Sequence, residues 1–188
     1  MRIDPIAFFG ALEAWKGGRL ERAAHLLAEQ PRWRKREREQ FHYDLLVWSL
    51  ALDEYGFAEA LLDAGVVASA RNRGTFSPLH FAADRRDRRG LRLLLSKGAD
   101  ASTGLLHAVQ SWDPGLIDFF LEAGADVRIV TDESISLFRT HGAILRRLAT
   151  AGARFPADIE AMLKNNEALG DSGKPPLPTL RPWRGEST

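Results

Sequence analysis

The chain has 188 residues, 26 Lys and Arg against 25 Asp and Glu for a net charge of +1, and 45% hydrophobic residues. That length and apolar share suffice for one continuous core, and the near-neutral balance excludes a global pull on nucleic acid. Cysteine is absent, which excludes disulfides and thiolate metal sites, and the longest apolar run, Leu45 to Leu52, falls far short of the roughly 20 residues that cross a bilayer.

The amino terminus, Met1-Arg2-Ile3-Asp4-Pro5, leads into an apolar stretch broken by Glu13 and lacks a small-residue cleavage pattern. That points away from a signal peptide and towards a cytoplasmic protein. Ile6 to Gln30 reads as an amino-terminal cap, in which Gly18 through Leu27 follow the pattern of a closing helix with Gln30 at its end. Four glycines then punctuate the chain, Gly65, Gly98, Gly124 and Gly152, at intervals of 33, 26 and 28 residues. Glycine suits the left-handed residue that ends a helix. Leucine- or phenylalanine-rich runs precede three of them, Ala60 to Ala64, Leu93 to Lys97 and Phe119 to Ala123, while Leu145 to Ala151 before the fourth is more polar.

Counting back fifteen residues from each glycine reaches Leu50, Ala83, Val109 and Leu137, the expected ends of a first helix in each unit. The matching starts are Asp44, Ser77, Thr103 and Thr131, all residue types that cap orphan backbone N–H groups. Pro78, and Pro114 after Asp113, preset the backbone angle of a first helical position. The connections from glycine to cap shorten from 12 residues (Gly65 to Ser77) to 5 (Gly98 to Thr103) and 7 (Gly124 to Thr131). Pro156 to Lys164 has helical periodicity and reads as a closing helix; residues 169–188, with Pro175, Pro176, Pro178 and Pro182, read as a flexible tail.

Ser77-Pro78-Leu79-His80-Phe81-Ala82-Ala83, followed by Gly98-Ala99-Asp100, resembles the ankyrin repeat, a unit of about 33 residues built of a turn and two antiparallel helices. The resemblance implies an all-α ankyrin-like helical-repeat solenoid of about five helix pairs over residues 1–168, with shortened loops in the carboxy-terminal half and a capping helix. A full β-hairpin finger fits only the Gly65 to Ser77 connection. The fourth unit departs from the pattern, since Leu106 takes the place that His80 holds and His107 stands one position later. In the family this histidine bonds backbone and the motif's hydroxyl, a structural use. The variable signature position, which in ankyrin proteins faces the concave groove, is here Trp48, Phe81, His107 and Ile135, with Asp84, Gln110, Phe138 and Arg139 beside it.

The chemistry-bearing residues are sparse. His25, His42, His80, His107 and His141 form no HxxxH pair, and no phosphate-binding loop or nucleophile elbow occurs, so neither a metal nor a cofactor is expected. Two arginine clusters stand out: Arg32 to Arg38, interleaved with Glu37, and Arg85, Arg86, Arg88, Arg89 and Arg92, interleaved with Asp84 and Asp87. Such acids are expected to form ion pairs with the arginines. The second cluster favours an acidic protein partner over nucleic acid, because no recognised nucleic-acid module surrounds it. The expected function is non-catalytic protein binding through the concave helical face and Arg85, Arg86 and Arg89, of the kind an immunity protein or antitoxin uses to block a toxic enzyme. The excess of arginine over lysine suits a GC-rich bacterial genome. The alternatives are an adaptor or regulatory subunit whose tail recruits a second protein, and a hydrolase that pairs His107 with Asp113 or Glu122.

Overall fold

Three helix–turn–helix pairs repeat one local geometry. In the computed structural model, which describes residues 5–19, 35–72, 76–130, 142–165 and 183, helices α1 (Pro5–Lys16), α2 (Lys35–Ala51), α3 (Tyr55–Asp63), α4 (Pro78–Asp84) and α5 (Arg88–Ser96) come first. They are followed by α6 (Ala101–Gln110), α7 (Pro114–Glu122), a 3₁₀ turn (Val127–Ile129), α8 (Gly142–Thr150) and α9 (Ala157–Asn165). The described residues are all-helical, without a strand, and contain no helix long and apolar enough to cross a membrane.

Each pair turns on one non-glycine residue in the left-handed region: Asp53 (φ 59°) between α2 and α3, Arg86 (51°) between α4 and α5, and Trp112 (58°) between α6 and α7. The main-chain bonds repeat with it. The N–H groups of Asp53, Arg86 and Trp112 donate to Leu50, Ala83 and Val109, and those of Glu54, Asp87 and Asp113 donate to Ser49, Ala82 and Ala108. A second motif closes α3, α5, α7 and α8, where Gly65, Gly98, Gly124 and Gly152 hold φ between 84° and 94°. There the glycine N–H donates to the carbonyl three residues back and the next N–H to the carbonyl five back, as Gly98 to Leu95 and Ala99 to Leu94 illustrate. This pairing satisfies the orphan carbonyls of a helix end. Gly18 (φ 71°) ends α1 in the same way, within the stretch read above as a closing-helix pattern.

The helix starts differ from expectation at two of the three described positions. Ser77 does cap α4, and His80 completes a capping box with it. Asp44, by contrast, lies inside α2, which begins nine residues earlier at Lys35 because the Lys-Arg-Glu-Gln-rich stretch ahead of it consists of strong helix formers. Its buried carboxylate accepts from Gln40 Nε2 at 2.8 Å. Thr103 lies inside α6, which Asp100 caps by accepting from Ser102 N–H at 2.9 Å. An aspartate directly after Gly98-Ala99 offers an earlier acceptor, so the connection is shorter still. Thr131 lies outside the described residues. Of the Gly65 to Ser77 connection, the described residues carry a turn and a main-chain bond from Asn72 N–H to Phe76 C=O (3.0 Å) instead of paired strands.

The chain divides into two units, Met1–Ala99 and Asp100–Thr188. In the first, α2 packs on α3 and on α4, α4 on α5, and α3 on α5. First helices therefore meet first helices and second helices meet second ones. Leu45, Leu46, Leu50, Phe57, Leu79, Leu91 and Leu94 are fully buried there, each contributing about 1.5–3 kcal/mol of transfer free energy. Helix α1 adds an aromatic cluster: Phe8 packs edge-on against Trp48 (5.2 Å) and Phe57 (5.9 Å), and the Trp15 ring lies tilted to that of Phe57 (5.5 Å). Lys16 pairs with Glu54, which tethers α1 to the start of α3. In the second unit, α6 packs on α7 and on the 3₁₀ turn, and α7 on α8. Leu105, Ile117, Phe120, Ile144, Leu145 and Leu148 form its core. The serine hydroxyl of Ser102 accepts from Asp126 N–H at 3.0 Å and fastens the 3₁₀ turn to α6. The segment 169–188 lies outside the described residues except for Trp183, half-buried with its ring 5.5 Å from that of Phe119.

Candidate functional site

The turn between α4 and α5 brings the second arginine cluster against the turn between α2 and α3. Arg85 caps the end of α4, and its guanidinium lies over the Phe81 ring at 5.3 Å. The same group reaches across to the neighbouring turn, where it donates to Ala51 C=O (3.4 Å) and stands 3.6 Å from Asp53 Oδ1. Arg89, exposed on the first turn of α5, lies over the Tyr55 ring at 4.5 Å. Both arginines thus stand over aromatic rings, Arg85 with its guanidinium turned to Ala51 C=O and Asp53, and Arg89 on the exposed side of α5.

Tyr55 is held from beneath. Its hydroxyl donates to Asp87 Oδ1 at 2.9 Å and lies 3.1 Å from Asp53 Oδ1. Burial, followed by the hydrogen bond and charge of Asp87, pushes the phenol well above its ordinary value, so it stays a donor. Asp87 has no accessible surface and also accepts Gly90 N–H at 2.9 Å, which makes it the N-cap of α5. Burial raises its carboxyl above the usual range and the Asp53 charge adds to that, while Gly90 N–H and Tyr55 pull the other way. Sequence reading expected Asp87 as an ion-pair acid. Its described partners instead are a helix end and a phenol, because the left-handed Arg86 turns the next side chain inward.

The other expected site residues distribute as follows. Trp48 is half-buried, with its ring 5.2 Å from that of Phe8 and 6.1 Å from that of Phe9. Phe81 is half-buried beneath Arg85; Asp84 is exposed at the end of α4, and its charge contributes with that of Asp44 to raising the half-buried Tyr43, whose main cause is burial. In the second unit His107 is half-buried on α6 with its carbonyl accepting Ser111 Oγ (2.8 Å), and Gln110 is exposed. Asp113, which the hydrolase alternative pairs with His107, is buried and caps α7 by accepting Gly115 and Leu116 N–H at 3.0 and 3.1 Å. Glu122 is exposed beside a groove of about 520 Å³ between α7 and α8, flanked by the Arg147–Asp118 pair (3.1 Å). Ile135, Phe138 and Arg139 lie outside the described residues, as do Arg32, Trp33 and Arg34 of the first arginine cluster.

His80 does what the resemblance implied. Its Nδ1 accepts Ser77 N–H (3.1 Å) and contacts Ser77 Oγ (2.7 Å), which secures the start of α4. Sequence reasoning missed Tyr55, Asp53 and Leu52. The available signal was the spacing, since Tyr55 opens α3 as Arg88 opens α5 and these two helices pack together. Among the described residues no group of His, Asp and Glu is arranged to hold a metal ion. No family model matches the chain, and neither a curated protein nor a solved structure matches it.

Proposed function

We propose that the chain is an ankyrin-like helical-repeat module whose work is to grip a protein partner without catalysis. The observation that carries this reading is the recurrence of one turn geometry at Asp53, Arg86 and Trp112, together with the packing of α2 on α4 and α3 on α5. Units that bury their apolar faces only against like neighbours extend sideways and present side chains in rows, a scaffold suited to surface recognition. The roles of the polar residues agree with that use. Asp87, Asp113 and His80 are spent on helix starts, while Phe81, Arg85 and Arg89 gather at one turn edge.

Binding would act by occlusion, as an immunity protein blocks a toxic enzyme, because packed helix pairs act through the surface they present. The test is affinity capture from the source cells followed by light scattering on the eluted complex. A single protein in fixed stoichiometry with the chain is expected. Turnover of a small ester or amide substrate that His107→Gln abolishes without unfolding the chain would overturn the reading.

A further inference from the structure

The edge formed by the two turns of the first unit has three properties that belong together. Leu52 is 46% exposed at the α2–α3 turn, and Arg85 contacts the residues on either side of it, Ala51 and Asp53. Arg89 is oriented by the Tyr55 ring, whose hydroxyl is itself fixed on the fully buried Asp87. Arg92 follows Arg89 by three residues on α5, exposed, and therefore on the same side of the helix. The result is an exposed apolar residue beside the Arg85 guanidinium, with Arg89 stacked on Tyr55, three residues along the chain from Leu52. A stacked arginine loses less freedom when it binds and offers two parallel N–H groups to one carboxylate.

We propose that this edge docks an extended acidic segment of the partner, with Asp or Glu carboxylates on Arg89 and Arg92 and an apolar side chain on Leu52. The proposal rests on the protein-binding reading above and specifies the chemistry of the bound segment. Charge complementarity selects a peptide over a nucleic acid. Asp53, with 45% of its side chain exposed, and the exposed Asp84 stand among the arginines, and the whole chain carries only +1. A duplex strand sets a phosphate about every 3.4 Å of helix axis and would bring some of them onto those carboxylates. Discrete side-chain carboxylates can alternate with the acids of the edge. Attraction to such a segment speeds encounter and weakens with salt.

The test uses the full chain and a fluorescein-labelled peptide of Glu-Glu-Leu repeats, followed by anisotropy at low and physiological salt. Binding is expected, and Arg89→Gln with Arg92→Gln should weaken it roughly tenfold to a hundredfold, the worth of hydrogen bonds to a charged group. Arg89→Lys keeps the charge, removes the planar fork and should weaken binding by a smaller factor; thermal melts of all variants report folding separately. A Gln-Gln-Leu peptide that binds as tightly, a single-stranded oligonucleotide that binds more tightly, indifference to the arginine changes, or no binding of the acidic peptide would each overturn the proposal. Capture of the cellular partner separates the two readings. Retention of that partner by the Arg89→Gln, Arg92→Gln chain defeats the docking edge alone, whereas peptide binding by a chain that captures no protein defeats the module reading alone.

Discussion

Helix pair α4–α5 and helix pair α6–α7 share a turn and differ in almost everything around it. Both place a non-glycine residue in the left-handed region, Arg86 and Trp112, both follow it with a buried aspartate that caps the second helix, and both close on a glycine. Their entrances differ. Ser77, Pro78 and His80 start α4, while Asp100 alone starts α6. Their close approaches differ as well: in the first pair Gly90 of the second helix makes room for Asp87 and Leu50, and in the second Gly104 of the first helix makes room for Phe120. The invariant part is the turn with its caps. The entrance can be shortened by many residues because it contributes little more than one N-cap to the pair.

The sharpest way to break the second pair alone is Gly104→Ala. A Cβ there would lie 2.2 to 2.7 Å from three atoms of the Phe120 ring, which is fully buried and has nowhere to retreat. Overpacking of that kind costs about 2–3 kcal/mol, well above the gain of roughly 1 kcal/mol that alanine normally brings to a helix interior. Gly90→Ala in the first pair places its Cβ 2.4 Å from Asp87 Oδ2. It is expected to cost about 1–2 kcal/mol, the worth of the displaced cap. Urea unfolding measures both, and an equal or reversed order would refute the assignment of the tighter contact to Phe120.

These contrasts also mark what was legible in the sequence. Gly65, Gly98, Gly124 and Gly152 end helices as their spacing requires, and Asp113-Pro114 opens one, because backbone geometry at those points admits few residue types. Ala157–Asn165 forms the helix that its periodicity implied. The starts at Asp44 and Thr103 were misread for different reasons: Asp44 follows a run of helix formers and accepts from Gln40, whereas Asp100 supplies an earlier cap ahead of Thr103, whose hydroxyl donates to it. Of the candidate site, Phe81 and the arginines were visible by type. The Tyr55 support was not, since contacts between residues more than thirty apart depend on how one pair lies on the next.

Acid titration separates the two caps by sign. Burial raises the Asp87 carboxyl, so its ionisation opposes folding, and the stability tied to it rises as pH falls through the raised value and is complete below about 3.9. At Asp100 burial also works upward, but the Thr103 hydroxyl and the Ser102 N–H outweigh it and the net direction is down. Its stabilising share is present above about 3.9 and is lost as pH falls through the lowered value. Asp87→Asn is therefore expected to flatten the stability curve between neutrality and about pH 4, and Asp100→Asn to flatten it below that. Unchanged curves for either variant would show that its carboxyl titrates alike in folded and unfolded chains.

The smallest effect belongs to the shared turn itself. A side chain in the left-handed region costs about 1–2 kcal/mol, and glycine there removes that strain but adds roughly 0.5–1 kcal/mol of unfolded-chain entropy. Arg86→Gly should therefore gain about 0.5 kcal/mol in the backbone, set against the contacts of its own half-buried side chain. Trp112→Gly should be the less stable of the two, because the same relief is set against the loss of a larger, half-buried indole and its contacts in the second unit. Arg86 is also the residue that turns Asp87 inward to Tyr55, and glycine accepts that φ of 51° without strain. The Arg86→Gly chain should accordingly keep the Arg89–Tyr55 stack and bind the acidic peptide with little change. A gain in stability accompanied by loss of peptide binding would assign Arg86 a direct contact with the ligand in addition to its place in the turn.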